Sequence, residues 1–225
     1  MAHSPPAIHL HHVPFSRSFR ILWLLAEMGL SCQLHRYSIT DGSLRSPAFL
    51  KISPAGRVPA LEIDGHAIFE SEAIVQYLCE TRPQAGLGRC AGDSERLPFL
   101  QWLGFAETQA SILGSLNLQH LFLRPPVRPS PQVLKIETAR LAKTLQALDA
   151  HLKQQDWLLE SGFSAADTMM GFNLFAAPYY VSLEGVPHVA AYTKRIAARP
   201  AYQQARAQDG VQAFYRKSFY DLPKE

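Results

Sequence analysis

The chain is short of the features that mark several protein classes. Its 225 residues include three cysteines, Cys32, Cys79 and Cys90, an odd number with no C-x-x-C pair. That argues against a disulfide framework and for a reducing, cytoplasmic compartment. No uninterrupted apolar stretch reaches the ~18 residues that a membrane span needs. The opening "MAHSPPAIHLHHVPF" lacks the basic region and long apolar run of a secretory signal, so none is expected. Lys and Arg exceed Asp and Glu by only 22 to 19, and the basic residues are scattered. No dense basic stripe offers itself to nucleic acid. His9, His11 and His12 cluster, with His9 and His11 on one strand face, but two ligands without a third or fourth do not close a zinc site. No metal is expected.

What the chain does have is a hydrophobic content of 47%, enough for a sizeable core in one or two domains. Its first eighty residues alternate strand-like and helical runs. "AIHLHHV" (7–13) reads as a strand and "RSFRILWLLAEMG" (17–29) as a helix, its apolar residues at helical spacing and Gly29 as its stop. "CQLHRYSI" (32–39) follows as a strand and "SPAFLKISP" as a short helix. "VPALEIDGHAIFES" holds two strands around Asp64-Gly65, the strongest hairpin signal in the chain. "SEAIVQYLCETR" (71–82) is a helix with Ser71 as its cap. Residues 83–93, rich in Gly, Pro and small side chains, read as a linker. Beyond it the pattern is helical, at about 95–123, 131–154, 165–182, 187–198 and 200–207. The expectation is an α/β domain of βαβ-ββα order at 1–82 and an all-α domain at 94–225.

Three stations in the first domain carry chemistry. The elbow before the first helix holds Ser16, Arg17, Ser18 and Arg20. Ser16 is placed to cap the helix, and equally to donate its hydroxyl to an anion. A thiol of pKa about 8.5 is little ionised at neutral pH, and a donated hydrogen bond at a helix N-terminus lowers that value by stabilising the thiolate. Ser18 is the other candidate donor, and Arg20 is assigned to structure. At the second station, the Val58-Pro59 bond enters a strand; it is either an ordinary strand-entry proline or a cis bond. A cis bond here would leave the Val58 backbone open to an extended peptide. At the third, Glu70-Ser71 starts a helix, where free N–H groups suit a carboxylate and Glu70 suits an ammonium group. Ser71 as a simple cap is the alternative.

In this order the stations resemble the cytosolic glutathione S-transferase family. "SRSFRILWLLAEMGL" is similar to the first helix of bacterial and fungal serine-type members. "SPAGRVPALEIDG" resembles the family's cis-proline segment, "ESEAIVQYL" its E-S-x-A-I helix start and "LQWLGFAETQ" the first helix of its second domain. "FSAADTMMGF" resembles its core-helix capping box, with Ser164 as cap and Asp167 reaching back. The resemblance implies a thioredoxin-like domain binding glutathione and no metal, a helical domain for the second substrate and dimerisation, and a homodimer. It implies that Val58 and cis-Pro59 hold the cysteinyl backbone, Glu70 and Ser71 the γ-glutamyl head, and Arg57 the glycine carboxylate. Ser16, with Ser18 as its alternative, would meet the thiol. Phe15, Phe105, Gln109 and Tyr179 would line the second-substrate pocket. The implied reaction is attack of the thiolate on a small hydrophobic electrophile. The alternatives are a glutathione-dependent peroxidase or disulfide reductase, and a non-catalytic binding or regulatory member. Pro14-Phe15 departs from relatives that carry small polar residues before the serine.

Overall fold

The computed structural model describes residues 8–222. They fall into two units, one of the residues up to Gly88 together with Ala198–Gln212, the other of Arg89–Ala197 and the segment from Ala213. The first contains β1 (His9–His12), α1 (Phe19–Glu27), β2 (Gln33–Arg36), α2 (Pro47–Ile52), β3 (Ala60–Ile63), β4 (His66–Phe69) and α3 (Ser71–Thr81). The second contains α4 (Arg96–Asn117), α5 (Pro131–Leu152), α6 (Ala165–Ala176) and α7 (Pro187–Ala197). A last helix, α8 (Pro200–Asp209), belongs to the first unit.

The sheet order is β2-β1-β3-β4, with β1 and β2 parallel and β3 antiparallel to both neighbours. This is the βαβ-ββα order expected of a thioredoxin-like domain. Every expected element is present, within a few residues; Ala7, expected to open β1, lies outside the described residues. Asp64 and Gly65 both have positive φ, 54° and 78°, as the two-residue turn with the twist of its flanking strands requires.

The expected domain boundaries need correction. The first unit runs to Gly88, and residues 198–212 join it instead of the helical domain. The cause lies in α1. All seven of its residues from Phe19 to Leu25 are buried, so it has no face for solvent and must be covered on every side. β1 and α3 cover part of it, and α8 covers the rest. Tyr202 of α8 meets Phe19 and Trp23 edge-on, with centroids 5.6 and 5.0 Å away. Arg199, just before α8, donates twice to Glu27 at 2.7 Å.

In the second unit α4 packs on α5 and α6, and α7 on α5 and α6. The core helix α6 is almost wholly buried, including Met169 and Met170. Its start is the expected capping box: Ser164 Oγ accepts from the Ala166 N–H, and Asp167 Oδ2 accepts from the Ser164 N–H at 2.7 Å. The segment after Ala213 is tied to this unit by Tyr215, stacked on Tyr179 at 3.9 Å, and by the Tyr220 N–H donating to the Tyr179 carbonyl. No helix among the described residues is long and apolar enough to cross a membrane.

Candidate functional site

The loop before β3 is built to hold its backbone open. Ser53, buried after α2, donates its hydroxyl to the Arg57 carbonyl at 2.7 Å and accepts from the Arg57 N–H. Gly56 turns the chain at φ 62°, where a Cβ would lie 2.9 Å from the Leu44 carbonyl oxygen. Only glycine meets both demands. The Val58-Pro59 bond is cis. Among the described residues neither the N–H nor the C=O of Val58 makes a hydrogen bond, so one donor and one acceptor stand ready for an extended partner.

Ser71, expected to cap α3, is instead its first residue, and Glu70 occupies the flanking position with no side-chain cap. Glu70 has φ 73°. A non-glycine residue there costs about 1–3 kcal/mol, and such residues gather at functional sites. This backbone leaves the Glu70 carboxylate exposed, with no ion pair among the described residues. The first backbone bond into α3 is Ile74 N–H to the Glu70 carbonyl, so the N–H groups of Ser71 and Ala73 make no backbone bond within the helix. The Ser71 hydroxyl, freed from capping, has no partner among the described residues either.

These groups share one cleft of about 370 Å³, open mouth included, walled by Arg57, Val58, Pro59, Glu70 and Ser71 with Arg17 opposite in sign to Glu70. Two guanidinium groups and a helix N-terminus set against one carboxylate suit a ligand with two carboxylates, one ammonium and an extended backbone.

The elbow divides its two serines. Ser16 is half-buried and accepts from the Ser18 N–H at 3.3 Å, a turn bond before the helix. The expected cap by Ser16 is corrected, because Ser18 is the flanking residue of α1 and no side chain caps it. Ser18 is completely buried. Its Oγ bonds His12 Nδ1 at 2.8 Å and Ser16 Oγ at 2.8 Å, and accepts from the Val13 N–H at 3.2 Å. Ser18 as a direct thiol donor is therefore corrected: it has no open face. Arg20 is buried throughout within α1, where structure was its assigned role.

The expected second-substrate residues are divided between the two units. Phe15 belongs to the first unit, at φ 57° with the Arg206 guanidinium 4.3 Å over its ring. Phe105 is half-buried and meets Trp102 edge-on in the second unit, where Tyr179 stacks on Tyr215. Gln109 is corrected: it is fully buried and donates to Thr144 Oγ1 at 3.1 Å, an interior contact between α4 and α5. Missing from the sequence reading is the partnership of His12 with Asp209. These residues lie 197 positions apart and no local pattern links them.

A family model described as the N-terminal domain of glutathione S-transferase matches residues 6–80, and the C-terminal domain model matches 115–200. A curated glutathione S-transferase 3 of Schizosaccharomyces pombe is 30% identical over 207 residues, covering 86% of this chain and 84% of that protein. The chain belongs to the glutathione S-transferase family. A glutathione transferase crystal structure from Methylococcus capsulatus, 28% identical, superposes with a TM-score of 0.80 over 90% of this chain and 98% of that one. The chain is also similar to elongation factor 1-gamma of Artemia salina, 33% identical over 159 residues, 68% of this chain and 34% of that protein.

Proposed function

We propose that the chain is a glutathione transferase that binds glutathione in the cleft at the start of α3 and transfers it to a small apolar electrophile. The observation that carries this reading is Glu70, held at positive φ with an unpartnered carboxylate beside the unused Ser71 hydroxyl. The γ-glutamyl carboxylate would take the Ser71 hydroxyl and the N–H groups of Ser71 and Ala73, and its ammonium the Glu70 carboxylate. Val58 would pair with the cysteinyl backbone through its N–H and C=O. Arg57 would hold the glycine carboxylate. The thiol would then face the elbow, where Ser16 is half-buried and Ser18 fully buried. The proton leaves sulfur, Ser16 steadies the thiolate, and sulfur attacks the electrophilic carbon as its leaving group departs. A homodimeric, cytoplasmic protein fits the family and the odd, unpaired cysteines.

Glutathione titration by calorimetry on wild type, Glu70→Gln and Ser71→Ala tests the binding half. Each variant is expected to lose about tenfold or more in affinity, since a hydrogen bond to a charged group contributes about 1.5–3 kcal/mol. Unchanged affinity in both would refute the assignment. Turnover of an aryl halide and of a hydroperoxide separates transferase from peroxidase. A non-catalytic glutathione-binding role is the second reading. It rests on Pro14-Phe15, whose ring is capped by Arg206, and on the kinship with an elongation factor. Binding without turnover on either substrate would select it.

A further inference from the structure

His12 sits within an unbroken line of hydrogen-bonding groups. Its ring is completely buried. Nε2 faces the Asp209 backbone oxygen at 3.1 Å and Asp209 Oδ1 at 3.2 Å. Both are acceptors while the carboxylate is ionised, so Nε2 carries a hydrogen. Nδ1 lies 2.8 Å from Ser18 Oγ, which lies 2.8 Å from Ser16 Oγ. The line therefore runs Asp209–His12–Ser18–Ser16, from the interior to the half-open wall of the elbow.

Its hydrogen placement follows from the donor inventory. In a neutral imidazole protonated at Nε2, Nδ1 only accepts, so the Ser18 hydroxyl points at it at 2.8 Å in preference to its other acceptor, the Val13 carbonyl at 3.3 Å. The Ser16 hydroxyl then points at Ser18, and Ser16 presents outward an oxygen that accepts. Ser18 and Ser16 are thus oriented to take a proton from outside and pass it inward. Asp209 is held for the part. Its Oδ2 takes the Arg206 guanidinium at 2.7 Å, and its Oδ1 takes the Phe15 N–H at 3.2 Å. Pro14 packs against Gly210, where an added Cβ would meet the proline ring at 3.0 Å. The Pro14-Phe15 pair that sets this elbow apart is therefore the clamp on Asp209.

We propose that this line is a proton relay that ionises bound glutathione, an inference that rests on the glutathione reading above. The thiol S–H bond breaks and its proton goes to Ser16 Oγ. The Ser16 proton moves to Ser18 Oγ, and the Ser18 proton moves to His12 Nδ1. No electrons change hands. The products are a thiolate that accepts the Ser16 hydroxyl and an imidazolium held by Asp209. In water such a transfer is unfavourable by about a hundredfold, from the ordinary thiol and imidazole values. The Asp209 carboxylate at Nε2 and the Ser16 hydrogen bond to sulfur act against that deficit. Other charges bear on His12 as well. Arg206 stands behind Asp209, Arg20 is buried on α1, which packs on β1, and Arg36 opposite on β2 donates to the Gln208 carbonyl. Ser16 is the catalytic residue; Ser18, His12 and Asp209 act through it.

The relay keeps the thiol proton inside the complex, and that is measurable. Calorimetry of glutathione binding in buffers of different ionisation enthalpy counts the protons released. Ultraviolet absorption counts the thiolate formed. Wild type is expected to form more thiolate than it releases protons. Ser18→Ala and His12→Gln are expected to release one proton per thiolate and to show about tenfold less thiolate at neutral pH. A merely structural Ser18 would lower stability and leave the proton count unchanged. Should His12→Gln fail to fold, wild type and Ser18→Ala still decide. Binding with one proton released per thiolate in wild type overturns the relay and leaves the transferase reading standing, and binding without thiolate overturns the relay too. No binding heat at all overturns both.

Discussion

Asp167 ties the stability of the second unit to pH. Its side chain is completely buried and accepts from the Ser164 N–H at 2.7 Å, the Leu158 N–H at 3.1 Å and the Tyr192 hydroxyl at 2.7 Å. Burial outweighs these donors and pushes the carboxyl from 3.8 up to about 6. A folded value above the unfolded one means that the folded chain binds more protons between the two. The stability from this source is full below about pH 4 and is lost as pH rises through about 6. The displacement corresponds to on the order of 3 kcal/mol. Asp167→Asn abolishes the titration and turns an amide N–H₂ towards groups that donate, which costs about 1–3 kcal/mol at any pH. Urea unfolding followed by circular dichroism, at steps from about pH 4 to about pH 7, reads both effects. Wild type is expected to lose stability relative to Asp167→Asn across that window. Parallel curves for the two proteins would refute the reasoning.

Other perturbations test other joints. Glu70→Gly relieves the positive φ and is expected to raise stability by about 1 kcal/mol while glutathione affinity falls at least tenfold; denaturation and calorimetry on the same preparation check the trade. Gly56→Ala combines a left-handed backbone with a Cβ pressed on the Leu44 carbonyl, for a loss of about 2 kcal/mol in urea unfolding. Glu27→Gln leaves Arg199 with a neutral partner at a site where Glu27 is 7% exposed and also accepts from Trp23 Nε1 at 2.8 Å. Because Arg199 is 28% exposed, about 2 kcal/mol is expected rather than the full cost of breaking a buried pair. A transition midpoint unchanged from wild type would remove the argument that α8 holds α1 in place.

How much of this was legible in the sequence depends on the range of each signal. The Asp64-Gly65 hairpin and the Ser164-to-Asp167 capping box are local patterns, and each was readable from its own residues. Val58-Pro59 on its own read equally as an ordinary strand entry, and only the family resemblance implied the cis bond. Ser71 was legible as a helix start but not as the first helical residue, because the φ of Glu70 that moves the cap outward has no local signature. The apolar run of α1 carried a further message: a helix without a polar face needs cover from somewhere. The sequence does not say that α8 supplies it, because α8 is largely polar and attaches through Tyr202, Ala205 and the Arg199–Glu27 pair. Ser18 and Gln109 looked like site residues by position and proved to be interior ones. His12 and Asp209 meet only through the tertiary fold.

The central claim is that Ser16 turns a glutathione held at Val58, Glu70 and Ser71 into a nucleophile. The most direct measurement is kcat/KM for glutathione with an aryl halide, in wild type and Ser16→Ala, alongside the affinity of each for glutathione. The account predicts affinity within about twofold and kcat/KM at least tenfold lower, a transition-state loss of about 1.4 kcal/mol or more. Equal turnover in the two proteins would contradict it.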